Sequence, residues 1–189
     1  MMVYAYFLDQ NLNRLNAIDG ILPNGVSSVA VSSDRSNHIV SAWNQGPLND
    51  CYDCTTLTKM INQSLTKIEE IDVDVNDVRF EEASSAYLKM LVSIFNKANR
   101  LSIENLGWDE AYACFQASMV QQNGLRELEV SFDYIPTLQA QLIFEGIALS
   151  TSLEKLTVVE LFTGEVEVVT ALVNALGRNH NLKHLGVVD

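Results

Sequence analysis

Apolar residues recur along this chain at positions 1, 4 and 6 of a short frame: Ile68, Ile71 and Val73; Ala98, Leu101 and Ile103; Leu125, Leu128 and Val130; Leu153, Leu156 and Val158; Leu182, Leu185 and Val187. The leading residues are 30, 27, 28 and 29 apart. A fixed period of this size marks a repeat architecture, in which no unit buries its own apolar face and each must stack on its neighbours. The last two apolar positions keep the period-two alternation of a strand with one buried face. Ten and six residues before the next leading residue stands a second apolar pair: Leu88 and Val92, Phe115 and Met119, Ile143 and Ile147, Leu172 and Leu176. A spacing of four is one face of a helix, so each unit is predicted to be a strand followed by a helix that packs back on the sheet. The expected fold class is α/β, a parallel sheet with the helices outside it.

Asn and Gly stand where each helix must stop, at Asn123 and Gly124 and again at Gly177 and Asn179. Their tolerance of left-handed backbone angles suits that place. Nearer the start the pattern loosens. Val26, Val29 and Val31 fit the strand frame but lie 42 residues before Ile68. The excess over one unit falls in Ser32 to Pro47, a stretch of Asn, Ser, Gly and Pro without helical periodicity that reads as an inserted loop. Val3, Tyr6 and Leu8 read as a further, shortened unit with Leu12, Leu15 and Ile18 on its helix, because terminal units of a stack are commonly atypical. The expectation is one domain over residues 1–189, irregular through 1–67 and regular over 68–189.

These frames, together with the helix end from Ala171 through Leu176 to Leu182, resemble leucine-rich repeat proteins of the ribonuclease-inhibitor-like subclass, whose units run to about 28–29 residues. The likeness covers residues 65–189 well and the first third loosely. The polar Asn or Cys that the family places three residues after the frame appears as Asn76, but Leu106, Asp133 and Leu161 stand at the other sites. Irregular strand-to-helix turns are expected there. The resemblance implies a solenoid with the parallel sheet on its concave face and helices on its convex face. It also implies that the concave strands bind another protein, and it carries no catalytic chemistry of its own.

Charge narrows the partners. Twelve Lys and Arg against 24 Asp and Glu give a formal charge of -12, which argues against a nucleic acid, because phosphate binding needs a basic stripe. An acidic chain favours basic partners. No run of about 18 uncharged apolar residues is present, so no membrane span is expected. Met1 to Leu8 is apolar without a basic leader, and Asp9 follows at once. That favours a cytoplasmic protein, or one exported into a host cell without a classical signal peptide. Cys51, Cys54 and Cys114 read as free thiols of a reducing compartment.

Equivalent residues of neighbouring strands lie about 4.8 Å apart, so the outward positions can be lined up. Position 3 reads Glu70, Arg100, Glu127, Lys155 and His184, a predicted ladder of alternating charge. Position 5 reads Asp72, Ser102, Glu129, Thr157 and Gly186; position 7 reads Asp74, Glu104, Ser131, Val159 and Val188. The candidate partner-binding set is therefore Glu70, Asp72, Asp74, Arg100, Glu104, Glu127, Glu129 and Lys155, six acids against two bases. An acidic protein shows acids wherever it meets water, and that plainer reading stands beside the functional one. Val159, Val188 and Gly186 leave the last strands apolar on the same side. With Asp189 following the last strand directly, either a contact patch or the seat of a further unit is expected there, and self-association through this edge.

Other candidates carry less. Cys51 and Cys54 form a C-x-x-C pair, but zinc needs four ligands and only His38 and an acid such as Asp50 stand near. The pair reads better as two small apolar residues at a helix start. Trp108 is expected to pack in a turn, and Trp43 with Ile39 and Val40 is either a contact anchor or folded back on the first units. No nucleophile elbow, phosphate loop or paired-His helix occurs, and no cofactor is expected. The leading expectation is a non-enzymatic recognition module binding a protein partner with a basic surface. A GTPase-activating protein using Arg100, and a repeat fragment of a larger effector or adaptor, remain as alternatives.

Overall fold

A computed structural model of the chain describes residues 2–11, 13–17, 20–32, 51–64, 67–75, 84–121, 124–132, 135–161 and 166–188. The strands are β1 (Met2–Leu8), β2 (Arg14–Leu15), β3 (Ser28–Ser32), β4 (Cys51–Asp53), β5 (Ile68–Asp74), β6 (Ala98–Asn105), β7 (Glu127–Ser131), β8 (Lys155–Val159) and β9 (His184–Val188). The described helices are α1 (Cys54–Gln63), α2 (Ser85–Lys97), α3 (Asp109–Val120), α4 (Thr137–Leu149) and α5 (Val166–Arg178). All strands belong to one sheet in the order β2-β1-β3-β5-β6-β7-β8-β9, with β4 also paired to β1. From β3 to β9 every neighbouring pair is parallel, so the protein is α/β with a mostly parallel sheet.

The predicted register holds. Ile71, Leu101, Leu128, Leu156 and Leu185 form one row across the strands, and Val73, Ile103, Val130, Val158 and Val187 the next. Parallel strands need a crossover, and in this chain a helix lies between each consecutive pair from β5 onward. Consecutive helices pack on one another from α1 to α5, so a single apolar cluster runs from Val3 to Ala175. Within it Phe95 meets Phe115 edge-on at 5.4 Å and Phe132 stacks on Phe144 at 5.1 Å. Gly146 lets α4 approach α3 closely, since a Cβ there would stand 3.1 Å from the Gln116 Cα.

Four expectations are corrected. β1 is not a shortened repeat unit: it runs antiparallel to β2, β3 and β4, and Leu15 lies on strand β2 opposite Phe7 instead of on a helix. Leu12 and Ile18 lie outside the described residues. Apolar alternation predicts a strand but is silent on its direction. Second, Val92 of α2 is 37% exposed, and Leu91 and Phe95 take the buried places. α2 runs directly into β6, whereas three residues separate α4 from Leu153, so the buried pair moves three positions along the helix.

Third, Gly124 does take the left-handed region, at φ 76°, but it lies past the end of α3, whose C-cap is Gln121. Gly177 lies inside α5, and Asn179 acts through its side chain. Its buried Nδ2 donates to the Ile147 and Ser150 carbonyls at 2.6 and 3.1 Å, while Oδ1 accepts from the Asn181 and Leu182 amides at 2.8 and 2.9 Å. One amide thereby ties the end of α4 to the turn before β9. Fourth, Cys54 opens α1 and is buried, but Cys51 is exposed on β4. His38, Trp43 and the inserted loop lie outside the described residues, apart from Ser32, which closes β3.

Where the resemblance implies a polar residue and the chain has Leu106, two tyrosines satisfy the backbone. The Tyr87 hydroxyl donates to the Leu106 carbonyl at 2.7 Å, and the Leu106 amide donates to the Tyr112 hydroxyl at 3.1 Å. Trp108 packs edge-on against Tyr87 in the same turn. Asn76 and Asp133 lie outside the described residues.

Asp53 caps α1, accepting from the Thr55 and Thr56 amides at 3.0 Å each and from the Thr56 hydroxyl at 2.7 Å. The hydroxyl and amides hold its carboxyl below the usual carboxylate range. Asp53→Ala is expected to lower the unfolding free energy by about 0.5–2 kcal/mol, and Asp53→Ser by less. Urea unfolding checks this; an Ala variant as stable as the parent would show that the carboxylate does no capping.

Candidate functional site

The strand positions turned away from the described helices form two long rows. One runs Leu8, Ser28, Glu70, Arg100, Glu127, Lys155, His184; the other runs Tyr6, Ala30, Asp72, Ser102, Glu129, Thr157, Gly186. Exposure rises along both. Tyr6, Leu8, Ser28, Ala30 and Ser32 are buried, Glu70 and Arg100 are partly covered, and Lys155 and His184 are exposed. The sheet surface open to a large ligand therefore begins near β5 and β6 and extends to β9.

Asp72 belongs to the covered part. At 8% exposure it is no surface acid, which corrects its place in the predicted binding set. Burial, with Glu70 and Glu129 beside it, pushes its carboxyl up to about 8 against the opposing pull of Arg100 and a Ser102 hydrogen bond. Near neutral pH it is mostly protonated. Glu70, Asp74, Glu104, Glu127 and Glu129 remain as the half-buried, more accessible acids of the predicted face.

The charge ladder forms with a changed connection. Arg100 Nη1 meets Glu70 Oε1 at 3.2 Å, but Nη2 reaches diagonally to Glu129 Oε2 at 3.2 Å instead of its register partner Glu127. Glu127 pairs with Lys155 at 3.2 Å. Glu104 departs as well. The register shifts between Val73 and Asp74, so that Asp74 pairs with Asn105 and Glu104 occupies the extra position of a bulge. Asp74 and Glu104 are thus near each other but not cross-strand partners.

A second ladder escaped the sequence reading. Frame position 2 carries Glu69, Asn99, Arg126, Glu154 and Lys183, at the edge where helices return to strands. Asn99 donates to Glu69 at 3.2 Å, and Glu154 binds both Arg126 at 3.7 Å and Lys183 at 3.0 Å. Lys183 and Arg126 lower the Glu154 carboxyl. Its residues share frame position 2, one place before the outward positions 3, 5 and 7, so the frames themselves carry the signal. Such solvent-exposed pairs are screened by water, so these contacts orient side chains more than they stabilise the fold.

Among the described residues no three His, Cys, Asp or Glu side chains converge as a metal site would require, and no helix is long and apolar enough to cross a membrane. No protein-family model matches the chain, and no curated protein matches it as a relative.

Proposed function

We propose that this chain is a leucine-rich repeat solenoid whose concave sheet face, open from β6 to β9, binds a protein partner with a basic surface. The exposure gradient supports the reading: the sheet is covered at its β1 and β3 end, half-open where Glu104, Glu127 and Glu129 stand, and exposed at Lys155 and His184. Parallel strands displaying charged side chains at regular intervals offer many weak contacts in register, and acids on such a face steer a basic partner in encounter. Arg100, held between Glu70 and Glu129, serves this reading as an orienting staple. A GTPase-activating role would require it to leave both carboxylates.

The test avoids Asp72, because a lysine at that buried site would disrupt the fold. Glu104→Lys with Glu127→Lys is expected to lower association with a captured basic partner about tenfold or more at low salt and to flatten its salt dependence. Surface plasmon resonance across a salt series reads both. A double variant that binds with unchanged rate and unchanged salt dependence would remove the open face from the interaction.

A further inference from the structure

The last strand leaves open what the same residues close elsewhere. Leu156 and Val158 of β8 are 0% exposed, yet their counterparts Leu185 and Val187 of β9 are 47% and 57% exposed. Above them Val173 of α5 is 60% exposed, on the flank with Val169 and Leu176, opposite the Glu167, Ala171 and Arg178 side that faces α4. The backbone is open too. The His184 amide and the Val188 carbonyl bond back to Glu154 and Glu160, which flank β8, so the groups of Leu185 and Val187 between them point to the free edge.

We propose that this edge pairs with a second copy of the chain, β9 against β9 in antiparallel fashion about a two-fold axis at Gly186. In that register Leu185 of one copy and Val187 of the other exchange both backbone bonds, and the two glycines form the non-hydrogen-bonded pair on the axis. It pairs all five residues of the strand and keeps every apolar residue on its own face. Charge allows this occupant. The chain carries -12, but no acid occurs from Val168 to Val188, so copies meet here without acid opposing acid. Lys183 is already paired with Glu154, and His184 falls opposite Val188. The two histidines stand about 14 Å apart at about 3.4 Å per residue, beyond the Debye length of about 8–10 Å.

Sedimentation velocity of the 189-residue chain over a roughly hundredfold concentration range is expected to show a monomer passing to a dimer by mass action. Val187→Pro removes an amide on the free edge and should cut the dimer fraction at least tenfold, with circular dichroism confirming the fold. Gly186→Cys, in a Cys51→Ser background, should give a covalent dimer on oxidation, since antiparallel non-hydrogen-bonded Cα atoms lie about 4.5 Å apart, within disulfide reach. A Cβ at Gly186 meets nothing closer than 3.5 Å, so this variant keeps its fold even where the proline variant does not. A chain that stays monomeric, a dimer that survives Val187→Pro, oligomers that grow past two, or a dimer that Gly186→Cys does not cross-link would each overturn the proposal.

Discussion

Asp72→Asn is expected to raise the unfolding free energy near pH 7 by about 1–4 kcal/mol and to flatten its dependence on pH. The side chain is buried beside Glu70 and Glu129, and its carboxyl titrates at about 8 in the fold against 3.8 for an ordinary aspartate. Because the folded value is the higher one, between the two the folded chain holds a proton that the unfolded chain has released. The contribution of this carboxyl is therefore fully present below 3.8 and falls as pH rises, by at most about 1.4 kcal/mol per pH unit, until it levels above about 8. Asparagine has the same shape without the proton. Urea titrations near pH 5, 7 and 9 should show the gap between variant and parent widening upward through this range. An Asn variant less stable than the parent at neutral pH would mean that Asp72 is ionised and held by Arg100.

Burial of that kind is invisible in a linear pattern. Alternation tells which side of a strand a residue occupies, and Asp72 does stand on the side away from the helices, as its frame position implies. What lies over that side is a tertiary fact. The regular part of the fold was legible because each frame repeats the same two periods, so the rows through Leu128 and Val130 could be aligned without any structure. The departures have local causes that the frames do not encode: a missing three-residue turn displaces the core face of α2, and a bulge takes Glu104 out of register. Strand positions alone thus place Glu127 and Glu129 on the side away from the helices, and cannot tell that Asp72 on that same side is covered. Tyr87 and Tyr112 show the same limit from the other side, since nothing at Leu106 announces that two distant hydroxyls will serve its backbone.

Leu128→Ala should destabilise the fold by about 2–5 kcal/mol, whereas Leu185→Ala, at the same frame position, should cost less than about 1 kcal/mol where the chain is monomeric. Leu128 is 1% exposed between β6 and β8, under helices on either side of its own unit, so truncation removes buried area and leaves a cavity that neighbours cannot close. Leu185 has a strand on one side only and loses contacts with water still at hand. The contrast isolates burial from residue type and from local pattern. Urea unfolding gives the two costs, and amide exchange should rank the strands likewise, with the amides of β9 opening well before those of β7 because edge strands lack half their partners. Equal losses for the two leucines would mean that β9 is covered in dilute solution as completely as the centre of the sheet.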